Sequence, residues 1–382
     1  MVNKNLKRRE FLQGVGAGTL AASLVGCSAS SSGTSGKTLA KTAFQRPFSR
    51  KPMVAPKISA NNIVTEIVGH RPYRPEGFVV NSEVFGNKTL VHNYGHGGGG
   101  ISLSWGSSAL AVNEVANSEI KEAAIIGSGV MGLTTARLLQ EAGWKVTLYT
   151  KAMPRFTTSQ VAGGEWGPYS VHDPLLSSLA FKSQLQQAAK IAHGTFAKMV
   201  GSDYGIQWKE LYTAVNTKPD DEGPFRQFYP YTQVLGPNEH PFPTNYCISS
   251  LTMLIETTTF LRRLVSDIKL FGGEFVIREF HDQDDIHSLS QSVLFNCTGL
   301  GSRALFNDEG ILPAKGQLVL LPPDPAVDYL TVGGGTGSLY MFSRNDYMIL
   351  GGTFKPGDWS TEPEPIETAR ILSESQAFFS LI

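Results

Sequence analysis

An α/β fold with two sheets of different character is predicted by three observations. Ala123-Ala124-Ile125-Ile126 is an apolar run of strand length that feeds Gly127-Ser128-Gly129-Val130-Met131-Gly132. Leu133, Ala136, Leu139 and Ala142 then recur at helical spacing up to Gly143, and Val146-Thr147-Leu148-Tyr149 reads as a second strand. Farther on, Leu339-Tyr340-Met341-Phe342 and Tyr347-Met348-Ile349-Leu350-Gly351-Gly352 flank a turn at Arg344-Asn345-Asp346 and form an antiparallel pair. The first two describe a Rossmann-like unit on a parallel sheet. The third calls for a second domain with a mixed, largely antiparallel sheet.

The glycine spacing has a physical purpose in that setting. Gly127 permits a tight turn, Gly129 lets the backbone approach a pyrophosphate, and Gly132 lets helix and strand pack closely. Free amides at the helix start then face the phosphates. The acidic residue that holds the ribose in an NAD site is missing, because the second strand ends at Thr150-Lys151. Either the nucleotide is not NAD or its ribose is held another way.

From its beginning, the chain carries Lys7-Arg8-Arg9-Glu10-Phe11-Leu12, a twin-arginine core, and then an apolar stretch from Val15 to Gly26 that is too short for a membrane span. Leu24-Val25-Gly26-Cys27 is similar to a bacterial lipoprotein cleavage box, with an ordinary cleaved signal that loses Cys27 as the alternative. Residues 1–27 are therefore expected to be a signal peptide read by the twin-arginine export machinery. The product is an exported protein of the periplasm or cell surface, attached to the membrane if Cys27 is lipidated. Residues 28–60 read as a flexible tether.

Lys+Arg and Asp+Glu balance at 33 each and no basic block lies beyond the signal, which argues against a nucleic-acid partner. Cys247 and Cys297 are expected as buried free thiols rather than a disulfide.

Val68-Gly69-His70-Arg71-Pro72-Tyr73-Arg74-Pro75 reads as a stiff edge strand, since each proline fixes its own φ and biases the residue before it towards extended geometry. Arg71 and Arg74 either share an anion or are plain surface arginines. Val91-His92-Asn93-Tyr94-Gly95-His96-Gly97-Gly98-Gly99-Gly100 leaves backbone groups open to a ligand, with a helix expected from Ser107 to about Val115. His92 and His96 are four apart, but a glycine loop gives no metal geometry, and no metal is expected. Thr157-Thr158-Ser159, followed by Ala162-Gly163-Gly164-Glu165, offers hydroxyls and a small-residue turn to phosphate oxygens or a ring edge. Helices are expected over Pro174–Met199, Ser249–Leu270 and Pro363–Phe379, and strands near Glu274–Arg278, Ser292–Gly299 and Lys315–Leu320.

Together these segments resemble the D-amino acid oxidase family of FAD flavoproteins. The resemblance rests on Ile125–Gly132, Thr157–Tyr169, Phe295–Gly299, Gly316-Gln317, Tyr340–Gly352, the Arg-Pro segment and the His92–Gly106 run. The order differs. In that family the Arg-Pro segment and the glycine loop lie at the C-terminal end, so this chain reads as circularly permuted, with Ile382 expected near residues 57–63 and Val115–Lys121 as a short surface link. The implied division is a substrate domain from 61–91, 176–245 and 316–382, and an FAD-binding domain from 92–175 and 246–315.

The resemblance implies oxidation of a D-amino acid to a 2-oxo acid, ammonia and hydrogen peroxide, with hydride passing to flavin N5 and oxygen as acceptor. Arg71 would grip the substrate carboxylate, Tyr340 would add a hydroxyl contact, and the Gly98 carbonyl would accept from the amine. FAD would lie against Gly127, Gly129, Met131, Gly132, Thr157, Thr158, Gly163, Gly164 and Thr298, with Gly97, Gly98, Gly100, Ile101 and Ser102 facing its ring. Three departures bear on substrate choice. Thr336 stands where many members have a second tyrosine, which suggests a more mobile lid. Phe354 replaces an arginine typical of D-aspartate oxidases, disfavouring acidic substrates. Gly99 replaces a bulkier residue, widening the site. The rival readings are an amine or glycine-type oxidase, a quinone-linked dehydrogenase, and a catalytically silent FAD-binding lipoprotein.

Overall fold

The computed structural model describes residues 46, 47, 49, 51–220, 223–336 and 339–382. The export signal, Cys27 and much of the tether lie outside the described residues, as does Gly337 of the expected lid.

The chain runs β1 (Thr65–Tyr73), β2 (Val79–Phe85), β3 (Lys88–Tyr94), α1 (Gly100–Asn113), β4 (Glu122–Ile126), α2 (Val130–Glu141) and β5 (Lys145–Thr150). It continues through α3 (Thr158–Val161), α4 (Leu179–Lys198), β6 (Ile206–Val215), β7 (Thr232–Leu235), β8 (Tyr246–Ile255) and α5 (Thr257–Leu270). Then come β9 (Glu274–Ile277), α6 (Gln283–His287), β10 (Val293–Asn296), α7 (Ser302–Leu305) and β11 (Leu312–Leu321). It closes with β12 (Tyr329–Gly333), β13 (Tyr340–Ser343), β14 (Met348–Gly351), β15 (Lys355–Pro356) and α8 (Pro365–Phe379).

Two sheets result. The smaller has the order β2-β3-β10-β4-β5-β9, parallel throughout except for the edge strand β2. Its central strands are covered on both faces, which is why they read as unbroken apolar runs. Ala123 and Ile125 belong to the core under the helices, whereas Ala124 and Ile126 belong to a separate cluster with Phe280, Ile286 and Leu305 on the other side. The larger sheet has the order β1-β11-β14-β13-β12-β6-β8-β7 and is antiparallel except where β12 meets β6. The helix α8 covers one of its faces through Ile371, Leu372, Phe378 and Phe379.

The sheets divide the chain differently from the expected domain boundaries. β1 lies in the large sheet and β2 in the small one, so the crossing falls between Tyr73 and Val79 rather than near residue 91. β8 also belongs to the large sheet, although 246–315 was assigned to the nucleotide-binding side.

Two helix expectations are corrected. Ser249–Ile255 is strand, because Tyr246–Ile255 pairs with β6 over its whole length and with β7 on the other side; the helix starts only at Thr257. The glycine-loop helix starts at Gly100 rather than Ser107. Its glycine and serines cost helix propensity, but they let α1 pack tightly against α2 and α4. A Cβ at Gly106 would overlap the Ala188 carbonyl of α4.

β1 is an edge strand, as its prolines require. The last helix meets the segment that leads into β1: the Gln376 side-chain amide donates to the Ile58 carbonyl at 3.0 Å, and Ile58, Ile63 and Ile382 all pack on the core under α8. Residues 116–121, which join α1 to β4, are largely exposed. Cys247 and Cys297 are buried free thiols, the first in β8 of the large sheet and the second just past the end of β10 of the small one.

Candidate active site

The carboxyl ends of β3, β10, β4 and β5 all open at one edge of the small sheet, the position where an α/β sheet presents its ligand contacts. At the end of β4, Gly127 has φ +108°, which only glycine adopts without strain. A Cβ at Gly132 would overlap the Gly127 carbonyl oxygen, so helix and turn are in direct backbone contact. Gly129 has room beside it, the nearest atom to an added Cβ being Ser159 Oγ at 3.4 Å. That same hydroxyl accepts from the Val130 amide at 3.0 Å at the start of α2. Ser159 was not singled out from the hydroxyl cluster, although its spacing from Thr157 and Thr158 was visible.

Of the two that were, Thr157 turns its hydroxyl back on the Pro154 carbonyl at 2.7 Å, and Thr158 reaches the His70 carbonyl of β1 at 3.2 Å. Thr150, standing where an acid was missed, is bound to Ser128 at 2.9 Å and to the Ala152 carbonyl at 2.6 Å. Thr298, at the end of β10, is held by Asn296 at 2.7 Å and backs onto Gly127.

The run after His96 lies against the fingerprint helix. Gly100 faces the Met131 methyl, the Ser107 hydroxyl lies 3.4 Å from Met131 sulfur, and Ser108 bonds Thr134 at 2.8 Å. Asn93 ties this seam to β3 through Ser108 and Thr135, at 3.0 and 3.2 Å. Gly97 has φ +54° and, with Gly98, packs under Ser170; the Gly98 amide donates to the Ser170 carbonyl at 2.9 Å. Gly98 is exposed while Gly95, His96, Gly97 and Gly99 around it are buried, so this backbone faces an opening. Ile101 and Ser102 are buried, and Ser102 hydrogen-bonds the Gly167 amide at 3.0 Å. The expected widening at Gly99 is not realised: Val171 Cγ2 lies 2.5 Å from where a Cβ would stand.

His96 stacks on Phe78 with centroids 4.5 Å apart, and burial pushes its pKa down to about 3. His92 is bound to Asn296 at 3.0 Å.

Arg71 and Tyr340 come from opposite ends of the chain to the same strip of backbone. Arg71 Nη1 donates to the Thr353 carbonyl at 3.1 Å, and the guanidinium lies flat over Gly316, where any side chain would collide with it. The Tyr340 ring lies over Gly351, and its Oη is 3.2 Å from the Cβ position of Gly352. Burial raises the Tyr340 pKa, with the neighbouring Arg71 charge opposing it. Tyr340 stacks on Phe342 at 4.6 Å, and Phe342 in turn lies 2.8 Å from the Cβ position of Gly163. Gly164, with φ +93°, pairs with Ile255 through the Ile255 amide at 2.7 Å. Arg74 does not join Arg71; its guanidinium is held by Asp308 at 2.7 Å. Phe354 sits beside Arg71, 5.9 Å from guanidinium carbon to ring centroid, and edge-on to Tyr73. Among the described residues of this segment, the Thr336 amide donates to Glu374 of α8 at 3.3 Å, and Gly334 lies against Phe378.

This site fits a flavin dinucleotide at two places: the bare Gly129 at the start of α2, where an approaching phosphate meets no side chain, and the exposed backbone of Gly98.

Known proteins agree. The D-amino-acid oxidase of Streptomyces coelicolor is 29% identical over 259 residues, spanning 67% of this chain and 77% of the relative. Human D-aspartate oxidase is 29% identical over 257 residues, 65% of this chain and 73% of its own. Among solved structures, glycine oxidase from Geobacillus kaustophilus superposes with a TM-score of 0.50 at 17% identity, covering 67% of this chain and 77% of that one, a likeness of fold. The profile of the FAD dependent oxidoreductases matches residues 122–381, the fingerprint through the last helix, and the chain belongs to that family and takes FAD as its cofactor.

Proposed function

We propose that the protein oxidises D-amino acids to 2-oxo acids and ammonia, with a preference for neutral side chains and oxygen as the electron acceptor. The observation that carries this reading is the convergence of Arg71 and Tyr340 over the Gly351–Thr353 backbone, with the exposed Gly98 backbone belonging to the same small-sheet edge as the fingerprint. FAD, when bound, would supply the redox chemistry by accepting the electron pair of the substrate Cα–H bond, leaving an imino acid for water to hydrolyse. The chain's own residues bind and orient. Gly127, Gly129, Met131 and Gly132 would form the turn and helix start that hold the pyrophosphate, with Thr157, Thr158, Gly163, Gly164 and Thr298 on the segments beside it and Gly97–Ser102 towards the ring.

The Arg71 guanidinium, one arm already fixed by the Thr353 carbonyl, holds the substrate carboxylate. The Tyr340 hydroxyl, kept protonated by burial, donates to the same carboxylate. The Gly98 carbonyl accepts from the amine, and fixing both ends of the substrate sets the Cα hydrogen in one orientation. Phe354, its ring centroid 5.9 Å from the Arg71 guanidinium carbon, offers no charge to a second carboxylate and so favours uncharged side chains.

The test is a panel of D-amino acids added to the purified yellow protein, with L-isomers, glycine and sarcosine as controls. Flavin bleaching without oxygen, and peroxide release with it, are expected for neutral D-isomers. Bleaching by D-isomers without peroxide points to a quinone-linked dehydrogenase. Reduction by glycine or sarcosine in preference points to the glycine-type oxidase, and no reduction by anything to a binding protein. Running the panel on periplasmic, membrane and cytoplasmic fractions tests the companion proposal that the twin-arginine segment exports the protein and Cys27 anchors it.

We also propose that the chain is circularly permuted relative to its relatives, which the Gln376–Ile58 bond and the exposed 116–121 link support. A reordered chain in which residues 57–115 follow Ile382 is then expected to fold and hold FAD. Failure of that variant to bind flavin would count against the permutation.

A further inference from the structure

Glu165 is a carboxyl that the reaction described above leaves unused. Its main chain bridges to Leu254 of β8, and the next amide, Trp166 N, donates to the Met253 carbonyl at 2.8 Å, so this stretch is extended and pinned to the large sheet. Alternate residues of extended backbone point to opposite sides. Trp166 is buried in the core at 1% exposure, which sends the half-buried Glu165 the other way.

What surrounds Glu165 is the site. Gly163, two residues earlier, lies against Phe342 and Tyr340, and Ser102 of α1 bonds the Gly167 carbonyl at 3.2 Å. Glu165 Oε2 stands 2.6 Å from the Cβ position of Gly167, a position the Tyr169 ring also crowds, and the Tyr169 carbonyl closes over Gly98, 2.8 Å from its Cβ position. The hydroxyls of Tyr169 and Tyr229 pair at 2.6 Å within the field of the same carboxyl. Glu165 therefore stands on the segment that runs from the Tyr340 side of the site, at Gly163, to the Gly98 loop, at Tyr169.

Its hydrogen bonding is incomplete in a specific way. Thr252 Oγ1 is 3.0 Å from both Glu165 Oε1 and the Trp166 carbonyl, yet it has a single hydrogen to give. A neutral Glu165 resolves the conflict by donating to Thr252, which then donates to the carbonyl. Burial, which pushes this carboxyl up to about 7, acts in the same direction. Among the described residues no lysine, arginine or histidine pairs with it. A half-buried carboxyl left without a cation is stabilised by any cation that arrives with the ligand.

We propose that Glu165 is the second pole of the substrate site, accepting a hydrogen bond from a protonated amine of the substrate while Arg71 holds its carboxylate. This rests on the amino-acid oxidase reading and adds to the Gly98 carbonyl a side chain that recognises nitrogen. The amine is either the one on Cα or one at the end of a side chain, and the test separates them.

The probes are isobutyrate, 2-aminoisobutyrate and 6-aminohexanoate, titrated into the FAD-holding protein and followed by perturbation of the flavin absorbance. The first has a carboxylate alone, the second adds an α-amine but no Cα hydrogen, and the third has only a terminal amine. None can be oxidised at an amine-bearing Cα next to the carboxylate, so binding is read whether or not D-amino acids reduce the flavin. Failure here is thus distinct from failure of the oxidase reading.

The wild-type protein is expected to bind one of the two amines at least about tenfold more tightly than isobutyrate, as a charge-assisted hydrogen bond implies. Glu165→Gln should erase that preference and leave isobutyrate unchanged, while Glu165→Asp keeps part of it. A preference for 2-aminoisobutyrate assigns the α-amine, and one for 6-aminohexanoate a side-chain amine. Wild-type protein that binds both amines no better than isobutyrate overturns the proposal, even if Glu165→Gln fails to fold. So does a Glu165→Gln protein that keeps the preference.

Discussion

Replacing Arg71 by alanine is expected to slow flavin reduction by D-amino acids at least about 30-fold while leaving FAD bound. The guanidinium lies over Gly316 with one nitrogen on the Thr353 carbonyl, so its direction is set before any ligand arrives. Truncation leaves the substrate carboxylate without its charge partner in a site where Tyr340 alone remains. Losing one member of a desolvated charge pair costs roughly 2–5 kcal/mol, which corresponds to about 30-fold to several thousand-fold in kcat/KM. Arg71→Lys keeps the charge but loses the planar fork, and should recover only part of the loss.

The measurement is anaerobic stopped-flow reduction over a substrate range, with flavin content determined on the same sample. The fingerprint lies at a different set of residues, so the flavin-to-protein ratio should match wild type. An Arg71→Ala protein that is reduced at the wild-type rate would remove Arg71 from substrate binding. Loss of FAD along with activity would mean that the strand edge supports the cofactor rather than the substrate. Tyr340→Phe should cost less, since it removes one hydroxyl and keeps the ring stacked on Phe342.

Much of this arrangement could be read from the sequence because glycine reports on its own necessity. Gly127 at φ +108°, Gly97 at φ +54° and Gly164 at φ +93° sit where the expected turns demanded them. Gly316 and Gly351 were visible as residues but not as reasons: each is bare because a side chain from a strand distant in sequence, Arg71 or Tyr340, lies across it.

The misread elements share one physical cause. Tyr246–Ile255 is strand because β6 and β7 lie on either side of it, and no local pattern announces a partner some forty residues earlier. Gly100–Asn113 is helix in spite of its composition, since α2 and α4 supply the packing that propensity does not. Glu165 was read as part of a small-residue turn. Only the pairing of its neighbour with β8 turns the carboxyl towards the site.

A Gly132→Ala change is expected to yield protein that purifies without FAD and melts at lower temperature. The residue lies in the first turn of α2, where alanine would ordinarily favour the helix. Here the added methyl meets the Gly127 carbonyl oxygen, a backbone atom that cannot swing aside. Relief requires either tilting α2 away from β4 or unwinding the turn at Gly127, and either one displaces the Gly129–Val130 backbone that would meet the pyrophosphate. Overpacking of this kind costs roughly 1–3 kcal/mol before any loss of bound cofactor is added.

The same substitution at Gly194 supplies the control. That glycine lies inside α4 with nothing within 4 Å of an added Cβ, so Gly194→Ala should stabilise by about 0.5–1 kcal/mol through helix propensity alone. Measured side by side, the thermal melts of the two variants should therefore move in opposite directions, while the flavin-to-protein ratio falls for Gly132→Ala and stays at the wild-type value for Gly194→Ala. If Gly132→Ala retained full flavin and the wild-type melt, close backbone contact between α2 and the Gly127 turn would not be what forms the dinucleotide cradle.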